Sequence, residues 1–417
     1  MSLAATLQER GFIYQHTGTL PELLDGMPRV IYHGIDPSAD SAHAGNFVVW
    51  VLLKHLHAAG YTIIFLIGGG TGMIGDPKPD AERVLLDQAT IDKNVTGIQR
   101  QAEAIFGTTE RMHFVNNHDW LGQTTLLAFL RDIGKHFTVN ELMKKDAIAK
   151  RLASEVGISY TEFAYPLLQA FDYLTLYRQY GCTLQVGGSD QWGNVVAGVE
   201  LVRRLEQTEV HALTVPLVID KTTGKKFGKS EGNAVWLAAE KTSPYAFYQF
   251  WINTADENVA DYLKLFTFIS LSEIDALMYT HAAAPHTRTA QQALATAVTT
   301  IVHGEVAAEQ AKRVSAVLFG GGDIRTLSAD DQRYLATYGP TTTCPDHIPL
   351  VDVLVLTGLA TSKREARTFI ESQAVRVHGA VVSEIATVLT IAIHGQLITL
   401  QRGKKQIVLV QLETAYR

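Results

Sequence analysis

The sequence predicts a doubly wound α/β domain, then a helical region, then a small α+β tail. Three observations predict it. A strand–helix–strand pattern fills residues 30–67, further β-rich runs alternate with helical periodicity as far as Ile219, and strand-like runs then vanish from Val235 until the tail. At roughly 150 residues per domain, 417 residues suit two or three domains, each long enough to bury a core.

Val30–Ile35 is a short β-rich run that ends in Asp36-Pro37. Asn46 to Ala59 carries Val49, Leu52, Leu53 and Leu56 on one helical stripe, and Gly60 closes it. Thr62–Ile67 is apolar and rich in β-branched residues, and Gly68-Gly69-Gly70 stops it. This βαβ unit points to a parallel sheet covered on both faces. Arg111–Val115, Leu184–Val186 and Val215–Ile219 read as further strands. Val235 to about Phe319 reads as helices between polar breaks. Gly320–Asp323 and Gly339–Pro345 punctuate the chain like linkers. The tail, Ile348 to Arg417, mixes helical patterns (Leu350–Gly358, Lys363–Ser372) with β runs (Val375–His378, Gln396–Leu400, Gln406–Val410). No internal repeat is visible.

Lys+Arg 36 against Asp+Glu 42 gives a net charge of −6, which excludes a uniformly basic nucleic-acid coat but not a local patch. The tail from Pro340 holds eight Lys/Arg against six Asp/Glu, a contrast that suits a module facing a polyanion. Two cysteines, Cys182 and Cys344, form no disulfide framework, so the expected compartment is the reducing cytoplasm. The run Tyr61–Gly68 is too short to span a bilayer, and no secretory signal is readable at Met1–Gly11.

Two segments carry chemistry. Gly34-Ile35-Asp36-Pro37-Ser38-Ala39-Asp40-Ser41-Ala42-His43-Ala44-Gly45-Asn46 lies where the first strand gives way to the first helix. Ligands of open α/β sheets sit at strand carboxyl ends, small residues admit close backbone approach, and a helix N-terminus favours anions. His43 and Asn46, three apart, face one side of the first turn. Alone, this reads equally well as a loop with a capping histidine. The second segment, Lys225-Lys226-Phe227-Gly228-Lys229-Ser230, is a cationic loop able to neutralise a triphosphate and a leaving pyrophosphate. Alone it reads as a solvated basic turn, and it lacks P-loop spacing.

Together the two segments resemble the paired signatures of class I aminoacyl-tRNA synthetases, as His43-Ala44-Gly45-Asn46 and Lys226-Phe227-Gly228-Lys229-Ser230. Thr71-Gly72-Met73-Ile74-Gly75-Asp76-Pro77, Tyr165–Asp172 and Gln185–Asn194 resemble further blocks of the bacterial-type tyrosyl-tRNA synthetase family. Ser362–Arg367 is similar to the S4-type RNA-binding module that ends these enzymes. The resemblance is strongest from Val30 to Ser230 and weakest between Ala255 and Thr343. It departs at Asn46, where the family usually has His, and at Phe227-Gly228, where it usually has Met and Ser. Asparagine still donates a hydrogen bond but carries no titratable charge.

The resemblance implies a Rossmann-like catalytic domain over residues 1–220, with an inserted dimerisation segment at about 87–160 that includes Phe137–Asn140. It implies a lysine loop and helical domain over 221–320, a linker over 321–345 and an S4-like domain over 346–417. It implies a tyrosine-tRNA ligase acting on L-tyrosine, ATP and tRNA(Tyr) as a homodimer, with Mg2+ carried by ATP and no dedicated protein metal site.

By the same resemblance, Tyr32 and Asp172 contact the substrate phenol. Asp76, Tyr165 and Gln169 hold its ammonium, and Gln191 orients its carboxylate. Asp36 and Gln185 complete the amino-acid side. Gly34, Ser38, Gly45, Arg83, Gly188 and Asp190 contact the nucleotide, Asp190 at the ribose. His43, Asn46, Lys226, Lys229 and Ser230 surround the reacting phosphates. Lys363, Arg364, Arg367 and Arg376 form the RNA-facing basic side of the tail. One check is independent of family: Tyr165, Gln169 and Asp172 follow i, i+4, i+7 spacing and share one helix face. Rival readings are a tryptophanyl-tRNA synthetase, an RNA-independent nucleotidyltransferase and a non-catalytic RNA-binding protein. The Tyr32/Asp172 pair argues against the first, because indole needs only an acceptor. The tail argues against the second, and the retained Lys226, Lys229 and Ser230 against the third.

Overall fold

The computed structural model describes residues 1–413 apart from 79–80, 156, 231–232, 320–322, 340 and 404–405, and without the side chains of Asp146, Lys229, Ser230 and Asn233. The chain forms two compact units, Met1–Lys241 with Thr254–Ala290, and Thr242–Asn253 with Gln291–Arg417.

The first unit is built on a six-stranded sheet of β1 (Gln15–His16), β2 (Val30–Ile35), β3 (Thr62–Ile67), β4 (Met112–Asn116), β5 (Cys182–Gly188) and β6 (His211–Val215), in the order β1-β6-β5-β2-β3-β4. Every pairing is parallel except β1 with β6, so the sheet is mixed. β3 is buried from Ile63 to Ile67, as expected of a strand with helices on both faces. After two short N-terminal helices, α1 (Leu3–Glu9) and α2 (Leu20–Leu24), helix α3 (Ala44–Ala58) links β2 to β3. It buries Phe47, Trp50, Leu53 and Leu56, which ties its stripe to the core. Helix α4 (Gln88–Phe106) precedes β4.

Short helices α5 (His118–Leu121), α6 (Leu126–Asp132), α7 (Val139–Leu142) and α8 (Asp146–Leu152) lie between β4 and α9 (Tyr160–Tyr180), so the stretch expected as an insertion at about 87–160 also includes β4, a strand of the main sheet paired with β3. Ser159 caps α9 by accepting the Glu162 N–H, and Gly181 ends it in the left-handed region at φ +64, where a side chain would be strained. Helix α10 (Trp192–Glu206) follows β5 and packs against α9.

Two expectations shift. The run Val215–Ile219 is not one strand. The strand is His211–Val215, and it ends where Pro216 offers no N–H to a ladder. The rest of the run leads into the lysine loop, where Ile219 bridges Lys226 and the Phe227 N–H donates to the Val218 carbonyl at 2.9 Å. The linker-like stretch Gly339–Pro345 contains a strand, Thr341–Pro345, running parallel to Gln406–Glu413.

That strand edges the second unit's five-stranded sheet, which continues through Leu397–Arg402, Val375–Val377 and Ala380–Val381. Its core joins Leu350, Leu354, Ala366, Ile370, Val375, Leu400 and Val410. A second apolar cluster unites Tyr245, Val314, Leu318 and Leu335, from helices, with Leu397 and Leu409 of that sheet.

Candidate active site

The carboxyl ends of β2 and β5, the start of α3 and one face of α9 converge in the first unit. A chain of hydrogen bonds runs beneath them. Tyr165 Oη donates to Asp36 Oδ2 at 2.8 Å, and Thr71 Oγ1 donates to Asp36 Oδ1 at 2.7 Å. Asn117 Nδ2 donates to Thr71 Oγ1 at 2.9 Å and to Asp172 Oδ2 at 3.0 Å. Trp120 Nε1 closes the chain on Asp172 Oδ1 at 2.8 Å. Gly68 lets these groups close up, since a Cβ there would lie 2.3 Å from Asp36 Oδ1.

At this site three buried side-chain atoms have no hydrogen-bond partner among the described residues: Tyr32 Oη, Gln169 Oε1 and Gln185 Oε1. Leaving such a group unpaired costs about 1–3 kcal/mol, so each is a group that a polar ligand atom would satisfy. Burial holds Asp172 up at about 7, against the donors Asn117 and Trp120, and the Asp36 charge adds to the rise. Asp36 is raised to about 6, first by burial, against its two donors. Burial raises the Tyr32 hydroxyl well above the ordinary phenol range, and the nearby Asp172 charge reinforces it.

A cavity of about 1010 Å³ opens beside this network, with Asp76, Arg83, Asp190, Gln191, Asn194 and Lys226 in its walls. Asp76 accepts from Gln191 Nε2 and Asn194 Nδ2, both at 2.9 Å, and burial raises its pKa. Arg83 Nε donates to the Asp76 carbonyl at 2.7 Å. Beneath Arg83, an ion pair of 2.9 Å joins Arg151 to Glu162, both fully buried. Arg151 also donates to the carbonyls of Lys78 and Ala81, and Glu162 accepts the Arg83 N–H, so the pair pins that loop.

His43 is the N-cap of α3. Its Nδ1 accepts the Gly45 N–H at 3.1 Å, and Asn46 Oδ1 accepts the His43 N–H at 3.2 Å, a reciprocal capping box. The lysine loop packs on this turn. A Cβ on Gly228 would lie 2.7 Å from the Gly45 nitrogen, and one on Gly45 would lie 3.4 Å from the Phe227 carbonyl oxygen. The Ala44 N–H donates to Val235 O at 2.8 Å, and the Val235 N–H donates to Gly228 O at 2.9 Å. Two segments far apart in sequence thus meet at one helix N-terminus.

Of the other sequence-predicted residues, Ser38 and Asp190 are exposed, Gly34 lies at the exposed end of β2, and Gly188 precedes the turn Ser189–Gln191. Lys229 and Ser230 pair with Asn233–Ala234 through the backbone, and their side chains lie outside the described residues. Lys363, Arg364 and Arg367 are exposed on one helix of the second unit, with Lys363 paired to Asp352 at 2.7 Å, and Arg376 is exposed on a strand. Sequence reasoning gave Thr71 and Asn194 no role of their own, although both stand in the blocks that carry the resemblance, and it missed Asn117 and Trp120, whose only mark is the contact itself. It also missed Lys145, which lines the cavity, donates to the Gly193 carbonyl and is lowered to about 8 by burial.

Residues 25–320 match the family of tRNA synthetases class I (W and Y), and residues 335–410 match the tyrosine–tRNA ligase SYY-like C-terminal domain. The fold is similar to a C-terminally truncated mitochondrial tyrosyl-tRNA synthetase from Aspergillus nidulans, with TM-score 0.67 and 29% identity over 75% of this chain and 92% of that one. The Coccidioides posadasii counterpart gives 0.66 and 30% over 75% and 91%. A Plasmodium falciparum tryptophanyl-tRNA synthetase shares the fold at TM-score 0.55 and 14% identity, over 80% and 89%. The chain belongs to the class I tRNA synthetases, and within them to the tyrosyl-tRNA synthetases.

Proposed function

We propose that Tyr32 and Asp172 together read the phenol of L-tyrosine and that the α3 turn and lysine loop bind ATP. One observation carries the reading: the Tyr32 hydroxyl is buried without a partner while Asp172, close enough to perturb it, holds a carboxylate inside the core. A phenol both donates and accepts, so it satisfies both groups, while phenylalanine satisfies neither. An indole meets only the acceptor.

The tyrosine carboxylate attacks the α-phosphorus of ATP. The bond to the bridging oxygen breaks, and pyrophosphate leaves with Mg2+ held by its phosphates. The terminal ribose hydroxyl of tRNA(Tyr) then attacks the tyrosyl carbonyl and AMP leaves. Gln169 and Asp76, with Tyr165, receive the ammonium, and Gln185 and Gln191 meet the rest of the amino acid. Gly34, Ser38, Gly188 and Asp190 face the nucleoside. With Nδ1 accepting from Gly45, the His43 ring is held at the helix N-terminus, beside the place assigned to the phosphates. Asn46 spends its carbonyl on His43 and keeps its amide hydrogens for the phosphates. Lys226, Lys229, Ser230 and Arg83 follow the charge onto pyrophosphate. Catalysis is positioning plus charge stabilisation, and one lost contact of this kind costs on the order of 3 kcal/mol of barrier.

We assign the second unit's tail to an S4-like RNA-binding role through Lys363, Arg364, Arg367 and Arg376. We also assign a homodimer through the inserted segment, where Leu126, Leu127, Val139 and the neighbouring Tyr160 expose apolar surface. Cys182 and Cys344 are both buried without a disulfide, which suits a reducing cytoplasm, and no described helix is long and apolar enough to cross a membrane. The deciding experiment is exchange of labelled pyrophosphate into ATP with each of the twenty amino acids. Tyrosine alone should support it; exchange with tryptophan instead, or with none, overturns the pocket assignment.

A further inference from the structure

The α3 turn and the segment leaving the lysine loop are joined by a short ladder. Ala44 N–H donates to Val235 O at 2.8 Å, Leu237 N–H donates to Ala42 O at 2.9 Å, and His43 bridges Trp236. Ala238 N–H extends the ladder to Ser41 Oγ at 3.2 Å.

Behind the ladder stands helix α4, whose side chains hold the loop that leads into the His43 turn. Gln101 Nε2 donates to Ser41 Oγ at 2.8 Å, and its Oε1 accepts the Ala42 N–H at 2.9 Å. Ser41, itself buried, donates onward to Ala42 O at 2.7 Å. One turn earlier, Gly97 lets the loop lie on the helix, since a Cβ there would meet the Asp40 carbonyl oxygen at 2.2 Å. Asn94 Nδ2 donates to the Pro37 carbonyl at 2.9 Å, and Lys93 faces Asp40 at 3.5 Å. Asp40 also pairs with Lys241, just beyond the ladder, at 2.5 Å. Positions 93, 97 and 101 share one helix face, so the middle of α4 is shaped to the loop.

We propose that Gln101 is a positioning residue for adenylate formation: acting through Ser41, it fixes the register between the His43 turn and the lysine loop. The inference rests on the reading that these two segments grip the triphosphate. Gln101 uses both ends of its amide on the loop, and the Ser41 hydroxyl it meets also receives the Ala238 N–H from the segment that leaves the lysine loop. A register error of an ångström there misplaces donors against the reacting phosphates, which is where rate is lost.

The test compares Gln101→Met, Ser41→Ala and the double variant with the parent in tyrosine-dependent pyrophosphate exchange. Tyrosine Kd by fluorescence titration and thermal midpoints are measured alongside. Each single variant should lower kcat on the order of tenfold to a hundredfold. Tyrosine Kd should stay within about twofold, and the double variant should lose no more than the worse single, because both act on one link. The proposal is overturned if kcat holds while only the midpoint drops, if tyrosine binding weakens in step with kcat, or if the two losses multiply. Exchange by the parent checks the underlying reading separately.

Discussion

Gly228 lies so close to Gly45 that a Cβ on Gly228 would stand 2.7 Å from the Gly45 nitrogen. Its φ of +93 is also one that side chains avoid. Gly228→Ala should therefore lift the lysine loop off the N-terminus of α3. Exchange kcat should fall on the order of tenfold or more while tyrosine binding is unchanged, since the phenol pocket lies elsewhere in the unit. Stopped-flow adenylate formation alongside equilibrium tyrosine titration separates the two; equal losses in both would contradict the local origin.

Tyr32→Phe should move stability and function in opposite directions. The Tyr32 hydroxyl is buried and unpaired without substrate, so its removal relieves a penalty and should stabilise the substrate-free protein by about 1 kcal/mol. The same change removes one reader of the phenol, so tyrosine affinity and the preference over phenylalanine should both drop. Urea unfolding and paired exchange assays check it. A variant that is destabilised would show that the hydroxyl has a partner after all.

These pairings show how much the chain announces in advance. β2 and β3 were legible because apolar, β-branched runs end on proline or glycine, and α9 was legible because Tyr165, Gln169 and Asp172 keep helical spacing. The two-residue β1 carries too few positions to show a period. Trp120 and Asp172, or Gln101 and Ser41, meet across more than fifty positions with no local pattern to mark them. The residues assigned to the site were therefore visible as residue types, while the partners that hold them were not.

Asp172 gives the enzyme a pH signature. Its folded value of about 7 means that below this pH the free enzyme carries a proton on the group proposed to accept from the phenol. The value of kcat/KM for tyrosine should fall as pH drops through about 7, because this ratio reports the free enzyme. Trp120 donates to the ionised form. Trp120→Phe should weaken tyrosine binding on the order of tenfold and shift the midpoint upward. A midpoint that stays put or falls would show that the indole does not stabilise the carboxylate.

Arg151 and Glu162 form a fully buried ion pair at 2.9 Å. Removing one partner leaves an unpaired charge in the core, and such losses run at about 3–5 kcal/mol. Glu162→Leu should therefore destabilise strongly, while Arg151→Met with Glu162→Leu should recover much of the stability. Recovery of activity should be poorer, because the loop with Lys78, Ala81 and Arg83 loses its anchors in both cases. Denaturant unfolding with parallel exchange kinetics tests the split.

The division of labour between the units can be cut at two places. A chain ending at Thr343 keeps Leu335 but removes Leu397 and Leu409 from their shared cluster, and it severs a strand within Thr341–Pro345. Exposed apolar surface and an unpaired strand end invite association. A chain ending at Phe319 removes that whole sheet and exposes only the helical half of the cluster, Tyr245, Val314 and Leu318. The chain ending at Thr343 should therefore be the less soluble, although it retains more of the sequence. Both should keep tyrosine-dependent pyrophosphate exchange near the parental rate, because every residue placed in the pocket lies within Met1–Lys241. Both should lose transfer to tRNA(Tyr) with the basic residues of the tail. Exchange, charging and light scattering on the two chains test all three statements. Loss of exchange together with charging would place part of the activation machinery in the second unit.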